Sequence, residues 1–271
     1  MNHFFFLFSF FFFLNLAAEN HRFEHLFVNE GLPSGEIRAI MQDSRGFLWV
    51  GTMNGLYRYD GYAFKNYPVV FSDTRKISSA YIFWILEDQN ANLWLGTKGG
   101  NGLLYWKRKD ETFHQFKHSP DDTTTIGNDR VPTLLLDKNG YLWVGTYGGG
   151  LCRSSIPMQD IPEDSIPRQL TFKRYRHDPH NRSGLPSDII TYLYEDSKSR
   201  IWIGTDNGLS IMEGQNQGII RFMNYTHDPD DFGHQQCKNR HTEVTKSQSP
   251  AEPTELIYKS RPEFNHSYTI S

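Results

Sequence analysis

The chain has 271 residues, enough for one large all-β domain or two ordinary ones. Its 28 basic and 31 acidic residues give a net charge of −3 without charge blocks, which removes the electrostatic case for a nucleic-acid or anionic-membrane partner. Two cysteines, Cys152 and Cys237, lie far apart and imply no disulfide framework.

Phe4 to Leu16 is a nearly unbroken apolar run, followed by Ala17-Ala18 and a polar stretch from Glu19. A helix of that length spans only about 20 Å, short of a bilayer core of about 30 Å. Residues 1–18 therefore read as a secretory signal peptide, which places the chain outside the cytoplasm.

Beyond the leader one phrase recurs four times, at Asp43 to Thr52, Asp88 to Thr97, Asp137 to Thr146 and Asp196 to Thr205. Each time the Asp precedes a Trp by six residues, and the Trp leads into an aliphatic residue and Gly-Thr. The repeated positions are Asp43, Trp49 and Gly51; Asp88, Trp94 and Gly96; Asp137, Trp143 and Gly145; and Asp196, Trp202 and Gly204. The Trp-to-Trp intervals of 45, 49 and 59 residues match propeller blades rather than the shorter solenoid repeats.

An apolar-rich run precedes each Asp, and Tyr81 to Leu86 is apolar throughout, as an inner strand covered on both faces requires. The Asp opens a turn in which Gly46 and Gly140 tolerate positive φ. Ala91 and Ser199 replace that glycine in the second and fourth copies, which predicts a less tightly specified turn there. After the Trp strand, in which Trp and Gly share one face, come Asn54-Gly55, Asn101-Gly102, Gly149-Gly150 and Asn207-Gly208, all hairpin signals. A third strand follows in each copy, and alternating segments at 63–67 and 112–116 supply an outer fourth strand.

The fold class is thus all-β, an incomplete β-propeller of four four-stranded blades over about residues 23–70, 77–117, 128–176 and 186–225, with the start of a fifth from Phe222. Similar Pro- and Asp-rich connectors, His118 to Asp129 and His177 to Asp188, link the blades. The proline-containing stretch from Ser154 to Arg168 accounts for the longest interval and reads as an exposed loop.

The phrase from Ile37 to Leu56, together with the His-Asp-Pro connector, resembles the two-component-regulator propeller repeat over about residues 29–231. The resemblance implies a periplasmic sensor domain of a bacterial hybrid two-component system, with ligand sensing, plausibly of carbohydrate, and no catalysis, cofactor or metal. Its propellers have more than four blades, so the chain reads as a shortened member without its own signalling output, or a non-functional remnant. The polar segment at 232–271 reads as a disordered or out-of-frame tail, and open blade edges invite self-association.

Chemistry is harder to nominate. The Asp-x-x-Gly turns lack the further ligands of a calcium loop, and Gly148 to Gly150 is not followed by Gly-Lys-Ser/Thr. His177 and His180 have no third ligand in the pattern, and no Gly-x-Ser-x-Gly elbow occurs. A secreted propeller glycosidase or lyase is the rival reading; a glycosidase would need a pair of carboxylates at a set separation, which no motif here supplies. If the pre-Asp runs are innermost, the hairpin turns and connectors share one end of the sheets. Met53, Lys98, Tyr147 and Asp206 occupy equivalent, varying positions there and are the candidate ligand-binding residues.

Overall fold

The computed structural model describes residue 31 and residues 36–70, 76–77, 80–181, 183–216, 219–226 and 238–239. The signal-peptide and most of the tail assignments lie outside them, as does the His-Asp-Pro at 227–229. Blade one comprises β1 (Ile37–Gln42), β2 (Leu48–Thr52), β3 (Gly55–Tyr59) and β4 (Phe64–Tyr67) in antiparallel order. A short ladder, β5 (Val69–Val70) with β6 (Lys76–Ile77), leads to blade two: β7 (Tyr81–Glu87), β8 (Leu93–Lys98), β9 (Leu103–Lys107) and β10 (Thr112–Phe116).

Blade three is β11 (Thr133–Leu136), β12 (Leu142–Gly145), β13 (Leu151–Ser154) and β14 (Phe172–Tyr175). Blade four is β15 (Ile190–Glu195), β16 (Ile201–Thr205), β17 (Gly208–Asn216) and β18 (Ile219–Thr226), extended by β19 (Lys238–Asn239). Residues 222–226, where the sequence pattern of a fifth unit begins, therefore form the outer strand of blade four. The inner strands pack in chain order, β1 on β7, β7 on β11 and β11 on β15. Trp84 of β7 also meets Tyr192 of β15 edge-on at 5.4 Å.

The core is divided among the blade junctions. Trp49 packs among Leu93, Leu104 and Trp106 of blade two, Trp94 among Leu134, Val144 and Cys152 of blade three, and Trp143 among Ile190, Leu193 and Ile203 of blade four. Next to each Trp, glycine removes a side chain that the following blade would strike. A Cβ on Gly51 would lie 2.7 Å from Ile82, one on Gly96 2.5 Å from the Val131 carbonyl, and one on Gly145 2.7 Å from Ile190. Ile82, Val131 and Ile190 thus insert the edge of each blade into a notch cut by the preceding one.

The fixed Asp-to-Trp spacing is a hydrogen-bond latch. One carboxylate oxygen of Asp137 accepts the amides of Asn139 and Tyr141 at 2.9 Å, and the other accepts the Trp143 indole N–H at 2.7 Å. Asp43, Asp88 and Asp196 repeat this pattern with indole bonds of 2.8, 3.2 and 3.0 Å. All four turns need a left-handed residue: φ is +88° at Gly46, +62° at Ala91, +82° at Gly140 and +60° at Ser199. The turns of copies two and four are therefore no looser than the others, because the latch holds Ala91 and Ser199 in a conformation they do not prefer.

The stretch after Ser154 is not an exposed loop. It turns through two 3-10 segments into α1 (Ile166–Gln169), burying Met158, Ile161 and Ile166 in the junction of blades two and three. Lys107 of blade two forms an ion pair with Asp164, pinning the insertion from outside. Its prolines start helical turns, while its apolar residues, spaced without strand or helix periodicity, cover the outer strands of blade two.

Candidate functional site

Each inner strand begins at the end of its blade where the second strand finishes. β1, β7 and β15 carry a bulge two residues in, interrupting the pairing at Arg38, Phe83 and Thr191. Pro132 occupies the matching place ahead of β11, where the missing N–H likewise prevents ladder pairing. Bulges bend a strand and re-aim its side chains. Every blade thus presents three positions at this end. They are the residue before the notch (Glu36, Tyr81, Arg130, Ile189), the bulge residue, and the residue after Trp-x-Gly-Thr (Met53, Lys98, Tyr147, Asp206).

The first and last of these pair within each blade. The amide of Met53 donates to Glu36 at 3.3 Å, that of Tyr147 to Arg130 at 2.9 Å and that of Asp206 to Ile189 at 3.3 Å, while Tyr81 lies opposite Lys98 in the ladder. The connectors hold this end in place. Asp129 and Asp188 each accept the amide of the connector's opening histidine at 2.7 Å, and their carbonyls accept Gly102 and Gly150 at 3.0 and 2.9 Å. Nδ1 of His118 and of His177 faces a carbonyl, Ile126 at 2.9 Å and Leu185 at 2.7 Å. Since a carbonyl only accepts, Nδ1 carries the proton, and each ring closes its own loop.

A cavity of about 300 Å³ opens here between blades two, three and four. Phe83, Pro132 and Thr191 line it from the bulge positions, Lys98 and Tyr147 from the hairpins, and Arg130 from the residue that follows the connector. Two of the four sequence candidates, Lys98 and Tyr147, are brought together. Met53 and Asp206 are exposed at the same end but do not line the cavity.

Cations and aromatic rings dominate the walls. The Arg130 guanidinium lies 4.1 Å from the centroid of Tyr147, and the Lys98 ammonium 5.3 and 5.5 Å from those of Tyr81 and Phe83. Beside them, Arg38 donates to the Tyr81 hydroxyl at 2.9 Å, and that hydroxyl donates to Glu36 at 3.0 Å. Phe83, Pro132, Thr191 and Arg130 escape a reading of sequence alone. The first three occupy a position of the inner strands that carries a different residue in every blade, Arg38, Phe83, Pro132 and Thr191. Among the described residues no cluster of three His, Cys, Asp or Glu side chains could hold a metal.

The "two component regulator propeller" family matches residues 31–54, 125–148 and 184–207, that is, the entry into blades one, three and four. These three segments are two-component-regulator propeller repeats. Blade two has the same architecture without a match of its own. The extracellular domain of BT4673 from B. thetaiotaomicron, described in one structure as a one component and in another as a hybrid two component system, is similar at 27% identity and TM-score 0.52. That likeness covers 68% of this chain and 22% of BT4673's domain. The extracellular domain of the hybrid two component system BT3049 from the same organism is 22% identical with TM-score 0.58, over 74% of this chain and 26% of its own length, and shares the propeller fold. The chain therefore spans about a quarter of the length of these domains. No curated protein matches it.

Proposed function

We propose that the chain is an exported, non-catalytic ligand-binding propeller segment of a bacterial two-component sensor, and that it binds carbohydrate in the cavity between blades two, three and four. The observation that carries this reading is the meeting, at one end, of Phe83, Tyr147, Lys98 and Arg130 around a 300 Å³ cavity. Those residues sit at bulges, at hairpins and just after a connector while the strands behind them are locked by indole latches. A rigid scaffold presenting varied residues is how repeat folds build binding sites. The volume suits the end of a saccharide chain, the aromatic faces suit its C–H surfaces, and the fixed polar groups orient it. BT4673, whose similar domain is extracellular, supports the placement outside the cytoplasm. Signal output resides in parts beyond these blades.

A glycan array followed by calorimetry tests the proposal. The full chain binds at least one oligosaccharide class, and Tyr147→Ala weakens that binding at least about 10-fold, the effect of losing about 1.4 kcal/mol. Tyr147 is 42% exposed, so its removal leaves the blades intact. Binding unaffected by this change, or hydrolysis of the bound glycan, defeats the reading.

A further inference from the structure

We infer that the cavity selects an acidic sugar, one bearing a carboxylate or sulfate ester, with Lys98 and Arg130 as the residues that set this preference. The inference rests on the carbohydrate-binding reading and names its ligand class. Lys98 and Arg130 enter from adjoining blades, and among the described residues neither has a carboxylate partner. Each lies over aromatic rings instead.

Of the carboxylates at this end, Asp206 is exposed outside the cavity lining, and the others are engaged elsewhere. Glu36 is paired with Arg38 and accepts from Tyr81. Asp129 pairs with Lys117 at 3.4 Å and Asp188 with Arg176 at 2.8 Å, and both also close their connectors. In a chain of net charge −3, two free cations facing one cavity make a local positive field that its own acids do not quench.

The geometry adds direction to the charge. Arg130 is held by its carbonyl, which accepts the Tyr147 amide at 2.9 Å, and by its guanidinium resting on the Tyr147 ring at 4.1 Å. A guanidinium held over a ring can still offer N–H groups for bidentate contact with a carboxylate or sulfate. Lys98 supplies a point charge from the adjoining blade, where the Thr97 carbonyl accepts the Val131 amide at 2.8 Å, and Thr191 and Phe83 complete a surface suited to the uncharged part of a sugar ring.

The test is calorimetry of the full chain with four matched tetrasaccharides: uronic, the methyl ester of the uronic, sulfated, and neutral. Measurements at low and moderate salt use wild type, Lys98→Met, Arg130→Met and the double variant, with thermal melts confirming unchanged folding. At least one acidic ligand is expected to bind about 10-fold or more tightly than its uncharged counterpart, with a preference that salt weakens and the double variant abolishes. The uronic and sulfated arms separate the two sources of charge. If neutral and acidic ligands bind equally, or the preference survives in the double variant, this inference falls while the carbohydrate reading stands. If none of the four binds while the glycan array yields another ligand, this inference alone falls; if the array yields none either, both fall.

Discussion

Trp143 and Trp202 hold the same place in their blades and donate the same indole bond to an aspartate six residues earlier, yet Trp143 is fully buried and Trp202 only half buried. The latch belongs to a single blade, while the burial comes from the next one. At Trp49 the following blade also contributes charge. Arg108 of blade two lies 5.8 Å from the Trp49 ring and reaches the Asp43 carboxylate at 3.0 Å. At Trp202 the blade's own Arg200 takes that part, 5.3 Å from the ring and 2.7 Å from Asp196. Gly204 faces only Thr191 and Tyr192 of its own blade, where its counterparts receive an inserted residue. A repeat can thus hold its local geometry alone, but its main energetic return depends on a neighbour.

The largest expected effect tests this division directly. Trp143→Ala should cost about 3–5 kcal/mol in denaturant unfolding, and Trp202→Ala about half as much or less. Equal losses would mean that the indole contributes mainly inside its own blade. Next, Asp137→Ala should cost about 2–3 kcal/mol, because it strands a buried indole N–H and two amides. Asp196→Ala should cost less, since water can reach the groups it exposes.

A pH titration sharpens the comparison between latches. At Asp88 burial outweighs the bonds from Asn92, Asn90 and Trp94 and raises the carboxyl above its ordinary range. At Asp196 burial also works upward, but the bonds from Trp202, Arg200 and Lys198 prevail and hold the carboxyl well below it. Native Asp88 thus keeps its proton above the unfolded pKa, so its contribution to stability is lost as pH rises through that window. Asp196 does the reverse: the unfolded chain takes up protons first, and its contribution is lost as pH falls. In NMR spectra the Trp94 indole N–H should shift at a higher pH than that of Trp202; coincident midpoints would refute the difference. The smallest effect concerns the turns. Ala91→Gly should stabilise by about 0.5–1 kcal/mol, since relief of left-handed strain exceeds glycine's added unfolded-state entropy. A destabilised variant would show that Ala91 is unstrained.

Much of this architecture was legible because its determinants are local. The Trp-x-Gly-Thr strand, the glycine turns and the apolar inner runs all announce themselves by period and spacing. The insertion after Ser154 was not legible, because Met158, Ile161 and Ile166 follow no period and bury themselves only through the shape of blade two. The indole bond was written in the invariant spacing but not in the residue types, which equally suit a plain turn. At the candidate site, Lys98 and Tyr147 could be placed by counting from the hairpins. Phe83 and Thr191 could not, since a run such as Tyr81 to Leu86 reads as continuous strand and hides the bulge that turns Phe83 into the cavity.

The most direct test of ligand capture at this end is hydrogen exchange of the full chain with and without a bound oligosaccharide. Amides at 81–83, 97–98, 130–131 and 147 are expected to slow, leaving the Asp turns at 43–47 and 137–141, at the far end of the same strands, unchanged. Protection confined to those Asp turns, or absent from the cavity despite saturating ligand, would contradict the account.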